Sequence, residues 1–394
     1  LNNRRDLLLV DLRGTGRSAP LSCAFDAAEA ARRPLAESFD LRLREEAVAA
    51  CRSALAKGPA GDLTAYGTTL AVQDLLAVLD AWGRERVNLV GGSYGTRVAL
   101  EFARQAPDRV RRSVLDGVAP PDMQLPRSGA EDNRAALEAL LRACEQDAPC
   151  AAAHPRVRAQ LRALLDAPPR EVTVLHPVTG VPQRLMLERR TVLGLLRGPL
   201  YAPSLSAGLP AAIAAAAEGR FEPLVGLAAT AGSAPGARLA TGLHLSVVCS
   251  EDAADAGQAP LGDSLRGAAA ASGFEFDDPY AGLCRDWPRF VPPAGFRQMQ
   301  VARHPVWLLS GGVDPVTPPR HGERAAAALG AQAVHSIVPA AGHGLLGLAC
   351  IREAVARFID EPDDEQARSG ARAAGDRCAA SLPRPVFRQA PWAE

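Results

Sequence analysis

The sequence predicts an α/β fold with a mainly parallel sheet flanked by helices and interrupted by an inserted helical region. Three observations predict it. Strand-like and helix-like segments alternate at both ends of the chain. The strands are continuous apolar runs, as expected when both faces of a parallel sheet are covered. Between the two ends lies a long Ala/Leu/Arg-rich stretch of helical texture.

In order, Asp6–Val10 reads as a buried strand, followed by a glycine-punctuated loop, Asp11 to Ser18. Leu41 to Leu55 reads as a helix. So does Asp74 to Trp82, with Leu75, Leu76, Leu79 and Trp82 on one face. Strands follow at Val87 to Val90 and at Val110 to Val118. Past Ala119-Pro120-Pro121 the pattern turns helical as far as about Pro293, with helices near Glu131–Cys144, Pro155–Leu165 and Leu209–Glu218. One hairpin is expected there, 172–175 with 184–187, turning near Thr179-Gly180. The parallel pattern resumes with a strand at Val306–Ser310, a helix at Arg320–Leu329 and a strand at Ala333–Val338. Cys350–Ile359 is expected to be the last helix, with a polar, irregular tail from Glu361. The expected divisions are 1–118, the first part of the core; 119–295, a helical cap; and 296–394, the second part of the core with the tail.

One stretch organises the rest. Val87 to Val90 runs into Gly91-Gly92-Ser93-Tyr94-Gly95, and Val98, Leu100, Phe102 and Ala103 then follow at helical spacing. Strand, Gly-x-Ser-x-Gly and helix together form the context of a nucleophile elbow. The turn is so tight that side chains at Gly91 and Gly95 are expected to collide. It would hold the Ser93 hydroxyl at the start of a helix, where backbone amides favour an anion.

A serine needs a base to take its proton, and the base needs an acid to fix its tautomer. Asp314 follows the Val306–Ser310 strand in Asp-Pro-Val-Thr-Pro, and His343 follows the Ala333–Val338 strand between two glycines. Both would lie at the carboxyl edge of the sheet, where sites in open α/β sheets form. Six other histidines exist, but His343 alone sits in a Gly-His-Gly loop after a buried-type strand. Asp116 is the alternative acid, expected instead to brace a loop. Tyr94 N–H is the expected oxyanion donor.

Composition excludes several classes. Lys+Arg and Asp+Glu both number 44, so no overall field points to nucleic acid. No apolar run reaches about eighteen residues, so no membrane span is expected. The eight cysteines contain no C-x-x-C pair and suggest neither zinc nor redox chemistry. No metal or cofactor is called for. An even number of scattered cysteines fits disulfides formed in an oxidising compartment. Pairing neighbours in sequence would give Cys23–Cys51, Cys144–Cys150, Cys249–Cys284 and Cys350–Cys378, one of about 105 possible connectivities.

These residues carry a family likeness. Asp11-x-Arg13-Gly14-Thr15-Gly16-Arg17-Ser18, Gly91-Gly92-Ser93-Tyr94-Gly95-Thr96, Leu115-Asp116-Gly117-Val118, Asp314-Pro315-Val316-Thr317-Pro318 and Gly342-His343-Gly344 resemble the tripeptidyl- and prolyl-aminopeptidase branch of the α/β-hydrolases. Cys144-x5-Cys150, Val248-Cys249-Ser250-Glu251-Asp252, Cys284-x2-Trp287-Pro288 and the Cys350…Cys378 tail look like its secreted bacterial type. The resemblance implies an α/β-hydrolase fold and a serine exopeptidase acting on peptides with free N-termini, secreted or periplasmic in a bacterium. It implies Ser93, Asp314 and His343 as the triad, and Glu251, then Asp252, as the anionic groups for the substrate ammonium. It also implies strands and a His-Gly-Gly-Pro-Gly-type loop before Asp6. That loop would supply the second oxyanion donor, so the chain reads as incomplete at its N-terminus. An esterase using the same triad and a catalytically impaired binding protein are the alternative readings.

Overall fold

The computed structural model describes residues 5–22, 32, 34–39, 41–59, 61–232, 239–253, 274, 276 and 280–389. Its centre is a four-stranded, wholly parallel sheet of β1 (Val87–Gly92), β2 (Val110–Asp116), β5 (Val306–Gly311) and β6 (Ala333–Val338), side by side in that order. Every residue of β5 is buried. That burial explains the apolar spelling of β5, Val306-Trp307-Leu308-Leu309. A separate antiparallel hairpin joins β3 (Arg170–Leu175) to β4 (Pro182–Leu187), as expected. β2 and β5 are sheet neighbours, yet the whole helical insertion lies between them in sequence. It therefore leaves and re-enters the core at adjacent strands. The insertion packs an apolar cluster around Leu137, Leu141, Leu161, Leu196 and Ile213, which Leu35 and Phe387 join from outside it.

Two expectations fail. Residues 6–10 are not a strand: Leu7, Leu8 and Leu9 are 53%, 41% and 91% exposed. A strand exists only where a neighbour takes its N–H and C=O groups, and among the described residues β1 pairs with β2 alone. Ion pairs hold the segment instead, Arg5 to Asp360 and Asp6 to Arg84.

The second failure is the tail. Residues Asp364–Ser381 form an 18-residue helix, so Ala349–Asp360 is not the last. Asp363 caps the tail helix by accepting from Gln366 N–H at 2.8 Å. Ala367, Ala371, Ala374 and Cys378 make a buried stripe of small residues on it. Their size lets the helix approach β6 so closely that a Cβ at Gly375 would meet the Ser336 side chain. A helix buried through alanine carries little hydrophobic signal in its sequence.

Cys144–Cys150, Cys249–Cys284 and Cys350–Cys378 are bonded. Cys51 is also in a disulfide; its expected partner, Cys23, lies outside the described residues. Among the described residues no helix is long and apolar enough to cross a membrane.

Candidate active site

The carboxyl ends of the four parallel strands deliver Ser93, Gly117, Asp314 and His343 to one rim of the sheet. Ser93 sits between β1 and the Tyr94–Gln105 helix with φ 51 and ψ −121. Positive φ is costly for a residue with a side chain, about 1–3 kcal/mol. The elbow is pinned: Ser93 N–H donates to Asp116 O at 2.8 Å, and its own carbonyl accepts from Thr96 N–H and from the Thr96 hydroxyl. A Cβ at Gly91 would run into the Gly95 carbonyl, as expected. At Gly95 a Cβ meets nothing within 4 Å, so the demand for glycine falls on Gly91.

Asp314 and His343 are joined, with His343 Nδ1 2.8 Å from Asp314 Oδ2. Thr317, which the sequence reading did not single out, belongs to the same cluster. Its hydroxyl donates to Asp314 Oδ2 at 2.7 Å and lies 3.1 Å from His343 Nδ1. Val316 and Thr317 N–H both donate to Asp314 Oδ1. Burial alone would raise the Asp314 carboxyl; these hydrogen bonds and the imidazole hold it below its ordinary value. Burial pulls His343 down, but Asp314, followed by the charge of Asp116, leaves it above the ordinary imidazole value. The Ser93 hydroxyl makes no hydrogen bond among the described residues, and His343 Nε2 makes none either.

The loop carrying His343 is fixed from two sides. Leu345 and Leu346 N–H donate to the Asp116 carboxylate at 2.7–2.8 Å. Asp116 thus braces the loop, while Asp314 takes the imidazole. From the insertion, the Tyr201 carbonyl accepts from His343 N–H, and its ring meets the imidazole edge-on at 5.4 Å.

Ser93, Tyr94 and Tyr201 open on a cavity of about 900 Å³ between core and insertion. Glu251 and Asp252 are buried on an irregular helical turn, Val248–Asp252, at 1% and 4% exposure. Both meet Arg97, on the elbow helix: Asp252 Oδ1 lies 2.7 Å and Glu251 Oε2 3.3 Å from Nη1. Glu251 also accepts from Thr68 N–H and its hydroxyl at 2.7 and 2.8 Å. Asp252 lines the cavity; Glu251 is turned to Thr68 and does not. Burial raises both carboxyls, and Arg97 opposes the rise. Against its own burial, Arg97 is raised by the two acids. Arg97 is the residue that sequence reasoning missed here, although it lies four positions beyond Ser93.

Two regions of the chain resemble known families. Residues 1–144 match the α/β hydrolase fold family, and residues 275–370 match the TAP-like protein family. The chain is an α/β hydrolase with a TAP-like C-terminal region. This α/β hydrolase is 33% identical over 124 residues to the tripeptidyl aminopeptidase of Streptomyces lividans, covering 29% of this chain and 22% of that one. Over 60 residues it is 38% identical to the serine protease Hip1 of Mycobacterium tuberculosis, covering 15% of this chain and 12% of that one. Over 52 residues it is 48% identical to the 2-hydroxy-6-oxo-2,4-heptadienoate hydrolase of Pseudomonas putida, covering 13% of this chain and 19% of that one. The matches thus span about a fifth or less of these relatives' own lengths. An esterase from Exiguobacterium antarcticum aligns with a TM-score of 0.34 at 14% identity, covering 76% of each chain.

Proposed function

We propose that this α/β hydrolase is a serine exopeptidase that removes residues or short peptides from free N-termini through an acyl-enzyme. One observation carries the reading: Ser93, held at a strained elbow, lines a cavity whose wall also carries Asp252. In the reaction Ser93 Oγ attacks the scissile carbonyl while its proton passes to His343 Nε2. Asp314 holds the Nδ1–H and steadies the imidazolium. The oxyanion takes the Tyr94 N–H at the helix start. His343 returns its proton to the leaving amine, and water then hydrolyses the ester. The substrate ammonium is assigned to Asp252, whose carboxylate is held from behind by Arg97, itself paired to Glu251. The disulfides, three of them between described residues and one more at Cys51, support assembly in an oxidising compartment, outside the bacterial cytoplasm.

The test compares Ala-Ala-Ala-p-nitroanilide, its N-acetylated form and p-nitrophenyl acetate. The free-amine anilide is expected to be cleaved with the highest kcat/KM, and Asp252→Asn to erase its advantage over the acetylated form. Cleavage of the ester alone would favour an esterase. Folded protein that a fluorophosphonate fails to label at Ser93 would favour a binding protein.

A further inference from the structure

We infer that Arg44 and Arg197 form an anion site in the cavity of Ser93, one that takes a carboxylate of the substrate. The inference rests on the reading of Ser93 as the attacking group of a peptidase and names what its substrate must carry. Both arginines line the cavity. They come from different elements, the Leu41–Lys57 helix and the Arg189–Leu200 helix. Neither has an ion-pair partner among the described residues.

The contrast with Arg97 is instructive. Arg97 lines the same cavity but is taken by two carboxylates. Elsewhere the chain also gives partly buried arginines acidic partners, as in Arg13 with Asp74 and Arg158 with Glu138 and Glu145. Of the acids lining the cavity among the described residues, Glu37 and Asp252, the second belongs to Arg97. Two like charges sharing a half-dry wall repel, and an arriving anion relieves the repulsion. The wall feels their field. Burial, then Arg197 and Arg44, push His244 down to about 4, so its imidazole stays neutral. Burial and Arg197 together lower Arg44.

A guanidinium offers a planar fork that matches a carboxylate. Arg197 stands four positions before Tyr201, whose ring meets His343. Four helical residues rise about 6 Å. The anion would therefore lie within a residue or two of the scissile bond. Two sources supply that chemistry: the C-terminal carboxylate of a short peptide, or an acidic side chain near the cut.

The test is calorimetric binding to the Ser93→Ala variant, which reads the anion site without turnover. Three ligands are compared: Ala-Ala-Ala, its C-terminal amide, and Glu-Ala-Ala amide. Ala-Ala-Ala or Glu-Ala-Ala amide is expected to bind about tenfold tighter than Ala-Ala-Ala amide, the gain of one charge-assisted contact. Which of the two gains identifies the source. Adding Arg44→Gln or Arg197→Gln should reduce the gain to within twofold or so, and Arg197→Lys should restore part of it. Equal affinities for all three ligands, no binding of any, or a preference intact in both Gln variants would overturn the site. The acid–amide comparison needs no arginine variant, so it stands even if those variants fold poorly. Failure of the peptidase reading is seen separately, as wild-type protein that cleaves no peptide.

Discussion

A methyl group at Gly117 would stand 3.1 Å from Cε1 and 3.3 Å from Nδ1 of His343, so the end of β2 is the seat of the imidazole. Gly117 has φ +66, a backbone conformation that also favours glycine. Gly117→Ala is therefore expected to displace the ring and strain the turn together. Displacements near 1 Å cost on the order of 10²-fold in rate. Steady-state kinetics should show the loss in kcat, with KM for the anilide changed less than threefold or so. A variant of unaltered kcat would mean that the seat is not needed.

Ser93 carries strain that its proposed role as nucleophile would justify. Ser93→Gly removes the side chain at φ 51 and should raise stability by about 1 kcal/mol, within the range for such residues. Ser93→Ala keeps the strain and should melt close to the wild type. Both should be inactive. Thermal melts of the two variants side by side decide it, and a glycine variant that melts below the alanine variant refutes the strain.

In the proposed mechanism the protonation of His343 sets the acid limb. Its value is raised above the ordinary one, with Asp314 the chief opponent of burial. The base must be neutral, so kcat/KM should rise with pH through a midpoint above about 6.5 and then level off. Asp314→Asn should lower that midpoint and cut kcat by roughly 10³–10⁴-fold. The sign for stability is opposite in the two groups. The depressed Asp314 carboxyl stabilises the fold above its unfolded value, and this is lost as pH falls through its folded value. The raised His343 stabilises most below its unfolded value, and this is lost as pH rises through its folded value. A pH profile whose midpoint is unmoved in Asp314→Asn would separate the limb from His343.

Much of this candidate site could be read from spacing, because each residue of the proposed triad follows a strand and strand ends are spelled plainly. Ser93, Asp314 and His343 declare themselves by the glycines and prolines beside them. Asp116 could be anticipated as a brace, since a carboxylate at a strand end faces loop amides. What spacing hides is the partner chosen in three dimensions. Nothing in the sequence says that Thr68, 183 positions from Glu251, takes both of its carboxylate oxygens. Nor does it say that Tyr201, far out in the insertion, touches His343. The apolar run at 6–10 misleads for the same reason: its composition suits a strand, but pairing is a relation and not a composition. The tail helix fails in reverse, since alanine packs well yet weighs little in any hydrophobic pattern.

The Cys249–Cys284 bond ties the cavity wall together. Cys249 lies within the Val248–Asp252 turn that carries Glu251 and Asp252, and Cys284 directly follows the Tyr280–Leu283 helix. Tyr280 and Asp252 both line the cavity. The bond closes a loop with a sequence separation of 35, for which chain entropy gives about 3–4 kcal/mol. The Cys249→Ser/Cys284→Ser double variant should lose stability of that order in urea. It should also discriminate less well between free-amine and N-acetylated anilides, because the turn holding Asp252 loses its anchor while Ser93, Asp314 and His343 keep theirs. Cleavage of p-nitrophenyl acetate, which needs no ammonium contact, should fall much less. Equal losses on ester and anilide would show that the bond supports the whole rim and not the ammonium wall.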